Sequence, residues 1–171
     1  MVKRFLLFVT FLLTLSCIKD KPEGADLSVG DTLPDFQVTM SDGSSVSDEG
    51  LKQGVSLVMF FHTTCPDCQK VLPVMQSLYD AYLERGVRFA VISREEGKES
   101  VEKYWNETGL TMPYSAQETR DIYSKFAQSR VPRIYICDKG GVIKYIHTDD
   151  PLPEFKQLDQ QISCIFGTDK E

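Results

Sequence analysis

Histidine and tryptophan are scarce: the chain of 171 residues holds two His and one Trp. With only His62 and His147 available, and no second C-x-x-C beside the one at Cys65 and Cys68, a four-ligand zinc site finds too few ligands, so no metal is called for. Positive charge is also short. Nineteen Lys and Arg face 25 Asp and Glu, a formal net charge of −6, which removes the electrostatic footprint that phosphate backbones require and excludes a nucleic-acid partner. The longest uncharged apolar run, residues 5–15 (FLLFVTFLLTL), is too short to span a bilayer comfortably. Internal repeats and low-complexity tracts are missing too. What is present is ordinary for a globular protein, 42% hydrophobic and 26% charged, and the chain beyond residue 16 has the size of one compact domain.

Lys3 and Arg4 before the apolar run make residues 1–16 a secretory signal peptide. The run ends at Leu15-Ser16-Cys17, which resembles the lipobox of bacterial lipoproteins, although Thr14 stands where those usually carry Leu. That resemblance implies lipidation of Cys17 and a membrane-anchored lipoprotein facing the periplasm or cell exterior; cleavage without lipidation is the alternative. Residues 17–27 are charged, with Pro22 and Gly24 and little to bury, as in a tether, leaving 28–171 as the folded domain. Export also means that cysteine pairs must be weighed as disulfides, since these persist outside the cytosol.

Within the domain, residues 33–39, the turn Asp42-Gly43 and Val46 predict a small hairpin. Residues 55–61 (VSLVMFF) predict a strand covered on both faces. Val71, Met75, Leu78 and Tyr82 recur at helical spacing before Gly86, and a strand over 87–92 and a helix through Val101, Tyr104 and Trp105 to Gly109 follow. The β-α-β-α order implies parallel strands. A short helix over Ile122 and Phe126 precedes Val131-Pro132, and strands over 134–137 and 142–146 are joined by a Lys139-Gly140-Gly141 turn that makes them antiparallel. Phe155, Leu158, Ile162 and Ile165 form the stripe of a closing helix that Gly167 is expected to stop.

The chemistry sits at Cys65-Pro66-Asp67-Cys68, where a strand meets a helix. There the first sulfur faces orphan amides and the positive end of the helix, so Cys65 is expected to be the more acidic thiol, and the thiolate is the species that attacks a disulfide. Cys68, one turn in, can reach back and resolve a mixed disulfide. Pro66 suits the first helical position because it has no amide hydrogen to leave unpaired. Asp67 complements the helix dipole while opposing ionisation of the thiols, which predicts a more reducing couple than a cation there would give. A structural staple over so short a loop would gain little unfolded-state entropy, which favours a redox-active disulfide.

The motif, the apolar strand before it, the βαβ order, Val131-Pro132 ahead of two antiparallel strands, and the segment Val29-Gly30-Asp31-x-x-Pro34-Asp35-Phe36 resemble the thioredoxin fold. With the N-terminal hairpin they are most similar to TlpA/ResA-type membrane-tethered thiol-disulfide oxidoreductases of the alkyl hydroperoxide reductase and thiol-specific antioxidant superfamily, over about residues 28–166. The fold class implied is α/β, a central mixed sheet flanked by helices with an N-terminal β-hairpin extension. The resemblance also implies that Pro73 kinks the active-site helix, that Pro132 is a cis-proline facing the disulfide, and that Val131 offers backbone to a substrate strand. The partners implied are disulfide-containing exported proteins and a membrane electron donor for re-reduction; no cofactor beyond the cysteines is needed. Three positions depart from the pattern. Met59 replaces a buried Asp, Val71 a Glu and Thr64 a Trp, which leaves Asp67, Glu95 or water to take the Cys68 proton.

His62 would lower the pKa of Cys65 if it reached the sulfur, whereas a strand-end histidine is more often solvated or packed. Glu95, Glu96, Lys98 and Glu99 are expected in a solvated loop and helix start, Cys137 as a buried hydrophobe, Cys164 as exposed, and Tyr104 and Trp105 as core. Two other functions compete. A thiol peroxidase would want Thr where His62 stands; a Cu(I) chaperone would hold the metal on Cys65 and Cys68 with His147 as third ligand.

Overall fold

Residues 56–61 are apolar at almost every position because nothing around them is water: β3 (Ser56–Phe61) is buried along its whole length. The computed structural model describes residues 25–168. The expected signal peptide, most of the expected tether, and Cys17 lie outside the described residues. Before β3 come the hairpin strands β1 (Gln37–Thr39) and β2 (Ser45–Ser47), antiparallel to each other, and a single-turn helix α1 (Asp48–Leu51). After it come α2 (Pro66–Tyr82), β4 (Arg88–Ser93), α3 (Lys98–Thr108), α4 (Asp121–Ser124), β5 (Arg133–Cys137), β6 (Ile143–His147) and α5 (Phe155–Thr168).

The main sheet runs β4-β3-β5-β6. The β3–β4 pair is parallel, as a helical crossover requires, and β5 and β6 join antiparallel through the Gly140-Gly141 turn, where both glycines have positive φ. This is the expected mixed sheet flanked by helices with a small N-terminal hairpin. The alternation of a strand puts adjacent residues on opposite faces. Phe60 packs edge-on against Tyr123 and Phe126, while Phe61 meets Trp105 of α3 at 5.1 Å. The Trp105 indole N–H donates to the Met112 carbonyl (2.9 Å), so the chain's lone Trp is structural. On α2, Val71, Leu72, Met75, Leu78 and Tyr82 are buried, and the Tyr82 hydroxyl donates to Asp159 of α5. A short 3-10 turn continues α2 to Gly86, whose φ of 83° ends it in the left-handed form.

Three expectations need correction. Phe155 is 39% exposed and does not belong to the α5 stripe, which Leu158, Ile162 and Ile165 carry. Gly167 does not stop α5, which continues to Thr168. The folded part also begins before residue 28: the Leu27 amide donates to the Phe126 carbonyl (2.9 Å), and the Asp26 carboxylate pairs with the buried guanidinium of Arg133 (2.9 Å). A charged segment can dock in this way when a buried cation needs its carboxylate.

Asp48 ties the hairpin to the sheet's approach. It is buried, accepts the Phe36 amide (3.1 Å) and pairs with Lys52 (2.7 Å). Burial works to raise its pKa, but the Lys52 contact and the Phe36 amide outweigh this and hold the carboxyl below its ordinary value. A depressed folded-state pKa gives stability that is present above the unfolded value and is lost as pH falls through the folded one. Asp48→Asn is therefore expected to cost about 1–2 kcal/mol in urea unfolding at neutral pH, with the gap from the parent closing below pH ~3.9. Equal stability of the two proteins at neutral pH would contradict this role.

Candidate functional site

The last residue of β3 is followed by a turn rather than more strand, because the His62 carbonyl accepts the Cys65 amide (3.1 Å). That bond places Cys65 as N-cap of α2 in extended backbone (φ −80°, ψ 118°), with Pro66 opening the helix. No side chain caps this end, so the first-turn amides face the Cys65 sulfur's neighbourhood. Pro73 lies inside α2, where its ring removes one backbone donor.

The two thiols are free and unlike in environment. Cys65 is partly exposed, and its Sγ donates to the Val131 carbonyl (3.4 Å). Cys68 is fully buried. Burial pushes the Cys68 thiol well above its ordinary pKa; the His62 backbone N–H on its sulfur works the other way, and the neighbouring Cys65 adds to the rise. Cys68 is thus held as a neutral thiol beneath an accessible one. Cys137, also buried, is pushed up to about 12 by the same cause, and Cys164 is exposed, both as expected.

The Val131–Pro132 bond is cis, and this loop is what faces Cys65. Arg130 before it takes a left-handed φ of 73°, unusual for a residue with a side chain. It is held there by the Tyr123 hydroxyl, which donates to its carbonyl (2.6 Å), and by an ion pair with Asp149 (3.3 Å). The sequence carries no glycine or asparagine at this position to signal the turn.

The remaining predicted residues are placed as follows. Asp67 lies in the first turn of α2 and pairs outward with Lys70 (2.9 Å). Glu95 pairs with Arg94 (2.6 Å) and Arg120 (3.5 Å), so both carboxylates considered for the Cys68 proton are engaged with cations. His62 Nδ1 contacts the Thr64 hydroxyl (3.0 Å) and lies 3.6 Å from Glu96; the ring is packed and partnered rather than free. His147 bonds Gln161 of α5 (2.8 Å) and is not brought to the cysteines; among the described residues no cluster of three His, Cys, Asp or Glu is placed to hold a metal.

Glu96 is the main correction. The expected solvated residue is only 7% exposed, because the turn after β4 folds inward, with the Ser93 hydroxyl donating to the Glu96 carbonyl (2.8 Å). Its carboxylate accepts both the Thr63 amide (2.7 Å) and the Thr63 hydroxyl. Glu96, Thr63, Thr64, Gln69 and a half-buried Tyr104 line a cavity of about 470 Å³ beside the cysteine turn, so Tyr104 is a cavity wall rather than full core. Nothing in the run Glu95-Glu96 marks the second glutamate as the one that turns in.

A family profile described as Redoxin matches residues 28–162. The thiol-disulfide oxidoreductase ResA of Geobacillus kaustophilus is 29% identical over 126 residues, covering 74% of this chain and 72% of that one. Among solved structures, the thioredoxin domain of a thiol-disulfide oxidoreductase from Bacteroides vulgatus superposes with a TM-score of 0.68 at 21% identity, over 80% of this chain and 99% of that one. StoA from Bacillus subtilis gives 0.65 at 22%, over 74% and 95%. These two likenesses show a thioredoxin-like fold.

Alkylation tests the contrast between the thiols. Of the four cysteines among the described residues, Cys65 and Cys164 are expected to react with iodoacetamide in the native reduced protein, and Cys68 and Cys137 only after unfolding. Native-state labelling of Cys68 as fast as that of Cys65 would contradict the burial described above.

Proposed function

The chain belongs to the Redoxin family, and from that premise we propose that it is an extracytoplasmic thiol-disulfide oxidoreductase that reduces disulfides of exported proteins. One observation carries this: an accessible sulfur at a helix N-terminus, 3.4 Å from the carbonyl before Pro132, with a second, buried sulfur one turn behind it. The relatives named thiol-disulfide oxidoreductase support the same activity.

The Cys65 thiolate attacks one sulfur of the client disulfide, forming a mixed disulfide and releasing the first client thiolate. Val131 and Pro132 line the approach, where an extended client segment can pair with the Val131 backbone. Burial keeps Cys68 protonated and unreactive until the mixed disulfide forms. It then gives its proton to water, since Asp67 and Glu95 are paired with cations, and attacks the Cys65 sulfur; the second client thiolate leaves and takes up a proton, and the Cys65–Cys68 disulfide remains. The client gains two electrons and, after protonation, two hydrogens; a membrane electron donor returns the pair to the dithiol. Pro66, Asp67 and His62 tune the site, Pro66 and Asp67 from the first turn of the helix and His62 through its carbonyl on the Cys65 amide. His147 in its bond to Gln161 speaks against copper delivery, and His62 in place of Thr against a peroxidase.

C65S is expected to abolish insulin reduction, and C68S to accumulate mixed disulfides that a reductant releases; full activity of C65S would end this proposal. The lipid anchor through Cys17 has its own test. Cys17→Ser should move the protein from the membrane fraction to the soluble one, whereas unchanged fractionation would remove the lipoprotein assignment.

A further inference from the structure

Burying a carboxylate is costly unless its lone pairs are met, so a glutamate withdrawn from a charged surface loop calls for a reason. The polar groups on the Glu96 carboxylate belong to one short segment: the Thr63 amide and hydroxyl bond it, and His62 Nδ1 lies 3.6 Å away. From the other side, Gln69 Nε2 of α2 donates to the Thr63 carbonyl (2.8 Å). Thr63 is therefore gripped at both its amide and its carbonyl. The neighbouring His62 carbonyl accepts the Cys65 amide, so the residue next to Thr63 seats the first cysteine of the pair. Glu96 is itself anchored to the scaffold: the Ser93 hydroxyl holds its carbonyl and accepts the Gln117 amide (2.7 Å), and Glu96 bridges Gln117.

We propose that Glu96 is a positioning residue for disulfide exchange: its carboxylate clamps Thr63 and so fixes the turn that sets the Cys68 sulfur against the Cys65 sulfur. The proposal rests on the exchange chemistry of this pair and not on the nature of the client. Intramolecular attack depends steeply on alignment of the reacting atoms, so a loosened turn slows resolution of the mixed disulfide more than its formation.

The test uses the reduced full chain with Cys17 and the exposed Cys164 replaced by Ser in the parent and in every variant, and a small aromatic disulfide that releases a coloured thiol. Attack by Cys65 releases the first thiol and leaves a mixed disulfide; attack by Cys68 on the Cys65 sulfur releases the second and closes the protein disulfide. Glu96→Ala, which removes both acceptors, is expected to slow the second release about tenfold while changing the first by no more than about twofold. Glu96→Gln can keep both bonds, accepting the Thr63 amide and donating to its hydroxyl, and is expected to stay within about twofold of the parent. Thr63→Val, which loses the hydroxyl bond alone, is expected to fall between and serves should E96A fail to fold. A second release at the parent rate in E96A, or in T63V if E96A is unfolded, overturns the proposal whatever happens to the melting temperature. So does E96Q as slow as E96A, which would make charge and not the clamp the operative property. A parent that releases both thiols but leaves insulin intact would refute the client class proposed above and leave the role of Glu96 standing.

Discussion

The turn between His62 and Cys65 has to satisfy two sulfurs at once, one that must meet a partner and one that must be kept from it. Backbone carbonyls and burial do this between them: the His62 carbonyl seats the Cys65 amide, the Val131 carbonyl meets the Cys65 sulfur, and Cys68 behind it is wholly buried. Hydrogen bonds of this kind contribute little net stability each, yet they fix direction, and direction decides which sulfur is presented. The buried strand before the turn and the helix after it supply the rigid supports. β3 is buried at every residue and paired on both sides, so the turn springs from the least deformable part of the sheet.

Burial then divides the labour between the thiols. Cys65 meets solvent and the Val131 carbonyl, while Cys68 sits where ionisation is disfavoured. A buried thiol attacks only when a disulfide is delivered to it, so the order of events is set by access. Redoxin membership, the thioredoxin-like fold and this asymmetry point to the same exchange chemistry.

Much of the fold was legible because its signals are local. The C-x-x-C position, the apolar run of β3, the spacing on α2 and the Gly86 and Gly109 stops each depend on a few adjacent residues, and each recurs in the structure. What was hidden depends on partners distant in sequence. Glu96 turns inward for Thr63, thirty-three residues away, and Asp26 docks because Arg133 is buried. Arg130 takes a left-handed backbone with no side-chain signature, held from Tyr123 and Asp149. Gly167 misled for the opposite reason: a glycine near a helix end permits a stop without requiring one.

The fastening of Asp26 to Arg133 has a geometric corollary. Arg133 follows Pro132 directly, and the loop bearing Pro132 touches Cys65, so the first described residues are buttoned to the strand that continues from the very loop a partner's sulfur must pass.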